Sequence, residues 1–347
     1  MNPYNNQPTR AFWKPAVASR SMYEINDDIW KPKFNIIPSN RVSTYGSCFA
    51  QHIGRALKSR GFGWYITEPP PFGLNPKNAN AFNYGIFSSR TGNIYTSSLL
   101  RQWTEWAFGF KTPPEEVWEK NNRFFDPFRP NIEPEGFESD TELLRSRAHT
   151  IQMFKKSVMN SNYFVFTLGL TECWVNEEKT YEYPICPGVA AGDFDEKKHK
   201  FKNQQFQSIL KNLSEVFNIM RKFNANLKFI LTVSPVPLTA TYSANHVCVA
   251  TMESKSILRT VAGQLAANRP YVDYFPSYEM INSPVYKGSF FEPNQRTVSK
   301  FGVKYVMDTF FQSISNKFGT HQKNQTNLED IDDDMICEEQ LLEAFGQ

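Results

Sequence analysis

Ser47 stands where a serine can do chemistry. In residues 41–57 (RVSTYGSCFAQHIGRAL) a short apolar stretch ends at Tyr45 and Gly46-Ser47-Cys48-Phe49-Ala50 follows. An amphipathic pattern of Ala50, Ile53, Ala56 and Leu57 then begins at once. The pattern predicts strand, tight turn and helix, with Ser47 at the helix N-terminus. There the unpaired backbone N–H groups and the positive end of the helix dipole favour developing negative charge. A hydroxyl so placed can attack an ester carbonyl while nearby amides hold the oxyanion. Serine is also a preferred helix cap, so this segment alone supports both roles.

The elements that must position this turn are legible along the chain. Residues 162–168 (NYFVFTL) form an apolar run rich in β-branched and aromatic residues, a buried strand, preceded by a helix that starts after Ser139 or Asp140 and runs to about Val158. Phe206, Ile209, Leu210, Leu213, Val216, Phe217 and Met220 repeat at helical spacing. Strand 228–233 (KFILTV), a helix carrying Ile257, Leu258, Val261 and Leu265, a strand at 271–275 and a last helix from Val303 to Ile314 complete the series. Alternating strands and helices predict a parallel sheet covered on both faces, with ligands beyond the strand C-termini. The loops after Tyr45, Leu168 and Val233 are therefore the ones to watch.

Bulk properties narrow the classes. With 347 residues, 40% of them hydrophobic, the chain can bury a full core. No apolar run approaches membrane-spanning length and the N-terminus has no apolar leader, so neither a membrane span nor a secretory signal is expected. Five scattered cysteines lack metal-ligand spacing and read as reduced thiols of a cytoplasmic protein. No phosphate-loop, dinucleotide or HExxH motif is present, and no cofactor, metal or nucleic-acid partner is expected. Charge is uneven. Residues 320–347 carry eight acids and one base, −7, which leaves +10 on residues 1–319 of a chain at +3. A basic body can be an ordinary surface or can attract an acidic glycan. Residues 1–40 read as an extended arm on a 41–319 domain. The Pro- and aromatic-rich insertion 107–138 reads as an ordered lid or substrate wall, or as a packed excursion. The tail 320–347 reads as disordered, with a helical turn at its apolar end and a protein partner as its possible role.

These segments carry a resemblance. Gly46–Ala50 (GSCFA), 91–96 (TGNIYT), 166–172 (FTLGLTE), 231–238 (LTVSPVPL), His246-Val247, 254–259 (SKSILR) and 274–279 (YFPSYE) follow one another as in the GSCFA family. The series resembles that family over about residues 41–312. The resemblance implies a flavodoxin-like three-layer α/β/α sandwich of the SGNH/GDSL hydrolase type, with a mostly parallel sheet. It implies hydrolysis or transfer of acyl groups, often acetyl groups on carbohydrates. The expected substrate is thus an acylated carbohydrate or small ester. The alternative is a non-catalytic glycan- or protein-binding module on the same fold.

Carried over residue by residue, Ser47 takes the nucleophile's place. Its N–H is an oxyanion donor, and Gly46 and Gly169 are expected among the oxyanion or substrate-binding residues. Cys48, a rival nucleophile, fits better as a small buried residue. Gly169-Leu170-Thr171-Glu172 occupies the place of the superfamily's GxND, a departure, because a Glu carboxylate accepts where an Asn amide donates. Thr171 can donate instead, and Glu172 can orient a histidine or bind a sugar hydroxyl. For the middle oxyanion donor the guess is Asn93 or Gly92, with Asn83-Tyr84-Gly85 the competitor. The superfamily's DxxH before the last helix is missing: 290–298 reads FFEPNQRTV. Of five histidines, His321 lies in the tail, His199 in a Lys-rich loop, and His149 mid-helix at the wrong sheet end. His52 lies on the helix that Ser47 opens. His246, after the Val233 loop, is the expected base, or else a helix cap. Glu279, ahead of Glu292 and Asp273, is the expected orienting acid, and Arg296 can bind an anionic substrate group.

Overall fold

The computed structural model describes residues 2–25, 28–319 and 337–346. Strand β1 (Val42–Gly46) runs into α1 (Ala50–Ser59), then the short α2 (Pro76–Ala81) and α3 (Ser97–Ala107). A hairpin of β2 (Trp118–Lys120) and β3 (Arg123–Phe125) precedes α4 (Asp140–Asn160) and β4 (Tyr163–Leu168). Next come β5 (Glu172–Asn176), β6 (Tyr181–Tyr183) and β7 (His199–Asn203). α5 (Phe206–Phe223), β8 (Lys228–Val233), α6 (Val247–Asn268), β9 (Val272–Tyr274), α7 (Ser277–Asn282) and α8 (Lys300–Phe318) follow.

The central sheet is parallel, in the order β1-β4-β8-β9. On the outer edge of β1, Val42 bridges Trp64 in parallel, and its N–H donates to Gly63 O at 2.8 Å. Counting that short segment, the second piece of chain lies outside the first and the order reverses between β1 and β4. That is the flavodoxin-like order, and such a switch point opens a crevice at the strand C-termini. Both strands are buried along their length, as parallel strands covered on two faces require. Alternation sorts the core. Tyr45, Phe164, Phe166, Phe229 and Leu231 pack under α3, α4, α5 and α6. Val42, Tyr163, Val165 and Ile230 pack under α1, α7 and α8. The three-layer α/β/α sandwich is the expected one, and α4 starts from Ser139, whose hydroxyl accepts the Glu142 N–H.

Four regions go beyond the sequence reading. β6-β5-β7 form an antiparallel sheet of their own, built from strands too short and too charged to show as apolar runs. His199, expected in solvent, is buried there because alternation in HKFKN turns it inward between Tyr183 and Phe194. The insertion 107–138 is ordered and packed. Asp126 in it is gripped by Arg129 Nε at 2.7 Å and Arg147 Nη2 at 2.9 Å, all three buried. The segment before β1 begins in short helical turns and then seats Trp30, Phe34 and Ile36 in the α1/α8 face. The expected disordered tail falls for residues 320–336 and 347 outside the described residues. Residues 337–346, however, are docked: Glu338–Phe345 form a 3-10 helix and Cys337, Glu338 and Glu339 are buried. No helix among the described residues is long and apolar enough to cross a membrane.

Candidate functional site

Ser47 follows directly on β1, at the switch-point crevice. Gly46 has φ +134°, and a Cβ there would stand 2.4 Å from Thr167 O, so only glycine lets the end of β1 lie this close to β4. From β4's own end, a Cβ on Gly169 would stand 2.9 Å from Ser47 Cβ and 3.1 Å from Tyr95 O. Two glycines thus make the slot that holds Ser47. The serine is buried and its Oγ has no hydrogen-bond partner. Its capping role is overturned. α1 begins at Ala50 with Phe49 as its N-cap, and the Ser47 carbonyl, not its hydroxyl, accepts the Ala50 N–H at 2.8 Å.

Two backbone N–H groups at the crevice, the expected Ser47 donor among them, are already spent. Ser47 N–H donates to Thr167 O at 3.1 Å, and Gly169 N–H donates to Tyr95 O at 2.9 Å. Strand-end pairing takes the first and the Tyr95 loop the second. The donors beside the crevice come instead from 93–95. Buried Asn93 donates from its side-chain amide and its backbone N–H to the Glu338 carboxylate. Tyr95 Oη donates to Glu338 Oε2 at 2.8 Å and accepts the Glu338 N–H at 3.1 Å. Asn93 therefore holds an anionic oxygen, the job an oxyanion donor does.

Behind these donors lies a cationic pair. Lys255 Nζ donates to Gly169 O at 2.7 Å from full burial, which pulls its pKa down to about 8. Arg296 reaches Glu339 at 3.8 Å and Glu343 at 3.9 Å, ion-pair rather than hydrogen-bond distances, and its buried Nε has no hydrogen-bond acceptor. Burial raises the pKa of Glu338 against the Asn93 and Tyr95 bonds, and pushes Glu339 up to about 8. Cys48 is buried, as expected, and hydrogen-bonded to Cys337, whose pKa falls to about 6 through the Cys48 thiol, Tyr95 and Arg296.

The expected base and acid are not assembled. His246 is exposed and caps α6, its Nδ1 accepting the Cys248 N–H at 3.2 Å. Both Glu279 oxygens are taken, one by Arg259 and one by Tyr274 Oη at 2.7 Å. Buried Asp273 accepts the Lys33 and Tyr274 N–H groups, and Glu292 lies exposed in a turn. His149 is exposed on α4, and His321 falls outside the described residues. His52 is buried with Nε2 unpartnered, and burial, then Arg55, lowers its pKa to about 3, which keeps it neutral. Glu172 accepts from Thr241 Oγ1 at 2.5 Å and Tyr242 N–H at 3.2 Å, so it pins the loop after β8, and among the described residues it meets no histidine. Buried Thr171 gives its N–H to Ser254 Oγ and leaves Oγ1 unpartnered. Asn83, from the competing segment, donates to Asn131 O.

Sequence reasoning missed Lys255 and Tyr95, although a signal existed for the first. Lys255 shares the buried face of α6 with Leu258 and Ala262, three and seven residues on, where a helix of this kind carries apolar residues. A cavity of about 430 Å³ opens beside Glu172 and Glu339, walled by Trp174, Phe194, Phe201 and Tyr242; Ser47 does not line it. Among the described residues no cluster of three His, Cys, Asp or Glu side chains is placed to hold a metal ion.

No curated protein matches the chain. The GSCFA family does match, over residues 41–310, from the residue before β1 through most of α8, and the chain belongs to the GSCFA family.

Proposed function

We propose that this chain is a serine-dependent acyl-ester hydrolase or O-acyltransferase of the SGNH/GDSL type, acting on acyl groups, acetyl foremost, of a carbohydrate. One observation carries the reading. The buried Ser47 hydroxyl is unpartnered, seated between two glycines at the switch point, on the loop side where Asn93 and Tyr95 already hold a carboxylate oxygen. Ser47 Oγ attacks the ester carbonyl, the carbonyl oxygen becomes an oxyanion received by Asn93, and the alcohol leaves. Water then releases the acid, or a sugar hydroxyl takes the acyl group.

The Ser47 proton goes to the neutral-amine form of Lys255 in place of an imidazole, and from there to the departing alkoxide. What supports Lys255 is its burial, its pKa pulled down to about 8, and its bond to Gly169, whose Cα abuts Ser47. The unpaired thiols support a reducing, cytoplasmic setting. Turnover of p-nitrophenyl acetate and of acetylated sugars tests the proposal. It should vanish in Ser47→Ala and fall by about 10²–10⁴-fold in Lys255→Met. Unchanged turnover in Ser47→Ala would overturn it. The spent Ser47 and Gly169 N–H groups favour a second reading, a glycan- or protein-binding module. Acetylated sugars that bind and are never turned over would select it.

A further inference from the structure

The expected partner-seeking tail has an address in its own chain. Cys337, Glu338 and Glu339 are buried against Asn93, Tyr95, Cys48 and Arg296, which come from three separate parts of the fold. Two carboxylates in sequence enter a recess lined by two neutral donors and two cations. We propose that this recess is a binding subsite for a carboxylate-bearing ligand, that Cys337–Phe345 occupies it in cis, and that the ligand displacing the segment is an acyl ester with a free carboxylate, such as an O-acylated sugar acid.

Three features support displacement over permanent closure. Arg296 has Cys337 as a side-chain hydrogen-bond partner but meets the carboxylates of Glu339 and Glu343 only at 3.8 and 3.9 Å, and its buried Nε has no acceptor, so no tail carboxylate pairs closely with the guanidinium. A ligand carboxylate reaching that guanidinium with two oxygens would fill the donors the tail leaves open. Burial works against both tail carboxylates, so the segment is held at a cost that a better-fitting ligand avoids. Beyond Glu339 the segment is anchored shallowly, with Leu342 half-buried and Phe345 largely exposed against the aromatic cavity, so removing these contacts can release it. Charge agrees: the described segment brings Glu338, Glu339 and Glu343 and no base to a body that is +10 over residues 1–319. The substrate class rests on the Ser47 reading; the carboxylate subsite does not.

The test is calorimetry on the full-length chain, with glucuronate as the probe and glucose as its neutral counterpart. Two variants free the subsite differently. Glu338→Ala/Glu339→Ala removes the competing carboxylates, and Leu342→Ser/Phe345→Ser keeps them while weakening the apolar anchors. The expected result is glucuronate binding at least about tenfold tighter in each variant than in the unaltered chain, no comparable gain for glucose, and loss of the gain when Arg296→Ala is added. Equal heats for glucuronate and glucose in both variants would overturn the proposal. So would an unaltered chain that binds glucuronate as well as the variants do. Calorimetry reads binding alone, so a chain whose Ser47 proves inert can still pass, and a reactive Ser47 does not rescue a failed subsite.

Discussion

Asp126 and Glu338 are both carboxylates with 1% exposure, and their surroundings treat them oppositely. Asp126 accepts from Arg129, Arg147 and the Phe128 N–H, and those two guanidiniums hold its pKa below the usual value despite complete burial. The guanidiniums are themselves engaged: Arg129 also donates to Thr150, and Arg147 to the carbonyls of Pro114 and Glu116. Glu338 is held by an amide and a phenol, and burial raises its pKa. Its neighbour Glu339 meets Arg296 at 3.8 Å, and the buried Arg296 Nε has no acceptor. The two centres come close to each other at one loop. A Cβ on Gly92 would lie 3.4 Å from Glu338 Oε1 and 3.9 Å from Arg129 Cα. A buried charge centre with every group paired is built to hold a loop in place. One with spare donors and a misfit occupant is built to receive something.

That contrast can be broken by mutation. Asp126→Ala leaves two buried guanidiniums facing each other and should cost about 3–5 kcal/mol in chemical denaturation. A loss under about 1 kcal/mol would remove the distinction drawn here. Gly46→Ala should cost about 2–4 kcal/mol, from a backbone angle that side chains avoid and a Cβ pressed on Thr167; an unchanged melting curve would contradict the slot at Ser47.

The acid limb separates the two centres by pH. His52 has a folded pKa of about 3 against 6.5 for the free side chain, so between those values the unfolded chain binds the extra proton. Stability is fully present above pH 6.5 and should be lower by about 2 kcal/mol at pH 5 on this account. His52→Leu should flatten the curve in that window. Asp126 contributes only lower down, because its depressed pKa starts to lower stability as pH falls below 3.8. Glu338→Ala/Glu339→Ala is the smallest effect. It should change stability by less than about 1 kcal/mol, since relieving the burial of two carboxylates whose pKa values burial raises offsets the lost bonds. If it unfolds the chain as Asp126→Ala does, the tail is part of the fold and not an occupant.

The sequence carried the layers well and the site unevenly. Apolar runs and helical spacing located β4, β8, α4 and α5 closely because burial itself writes those patterns. The β5–β7 sheet was not legible, since three- to five-residue strands with alternating charge leave no run to read. Ser47 and Asn93 were singled out as candidates through local motif and family block. His246 was read as a base from its position after a strand, which says nothing of its exposure or of the capping bond it makes. Lys255 and Tyr95 were passed over because each looks ordinary until burial and tertiary partners are known. The tail's acids looked like a solvated run, and only the fold could show donors waiting 243 residues upstream of Glu338 at Tyr95.

The most direct test treats the full-length chain and its Glu338→Ala/Glu339→Ala variant with a fluorophosphonate and maps the adduct by mass spectrometry. The account predicts a single phosphonyl group on Ser47, faster in the variant and absent after Ser47→Ala. No adduct in either chain, or one that survives Ser47→Ala, would contradict it.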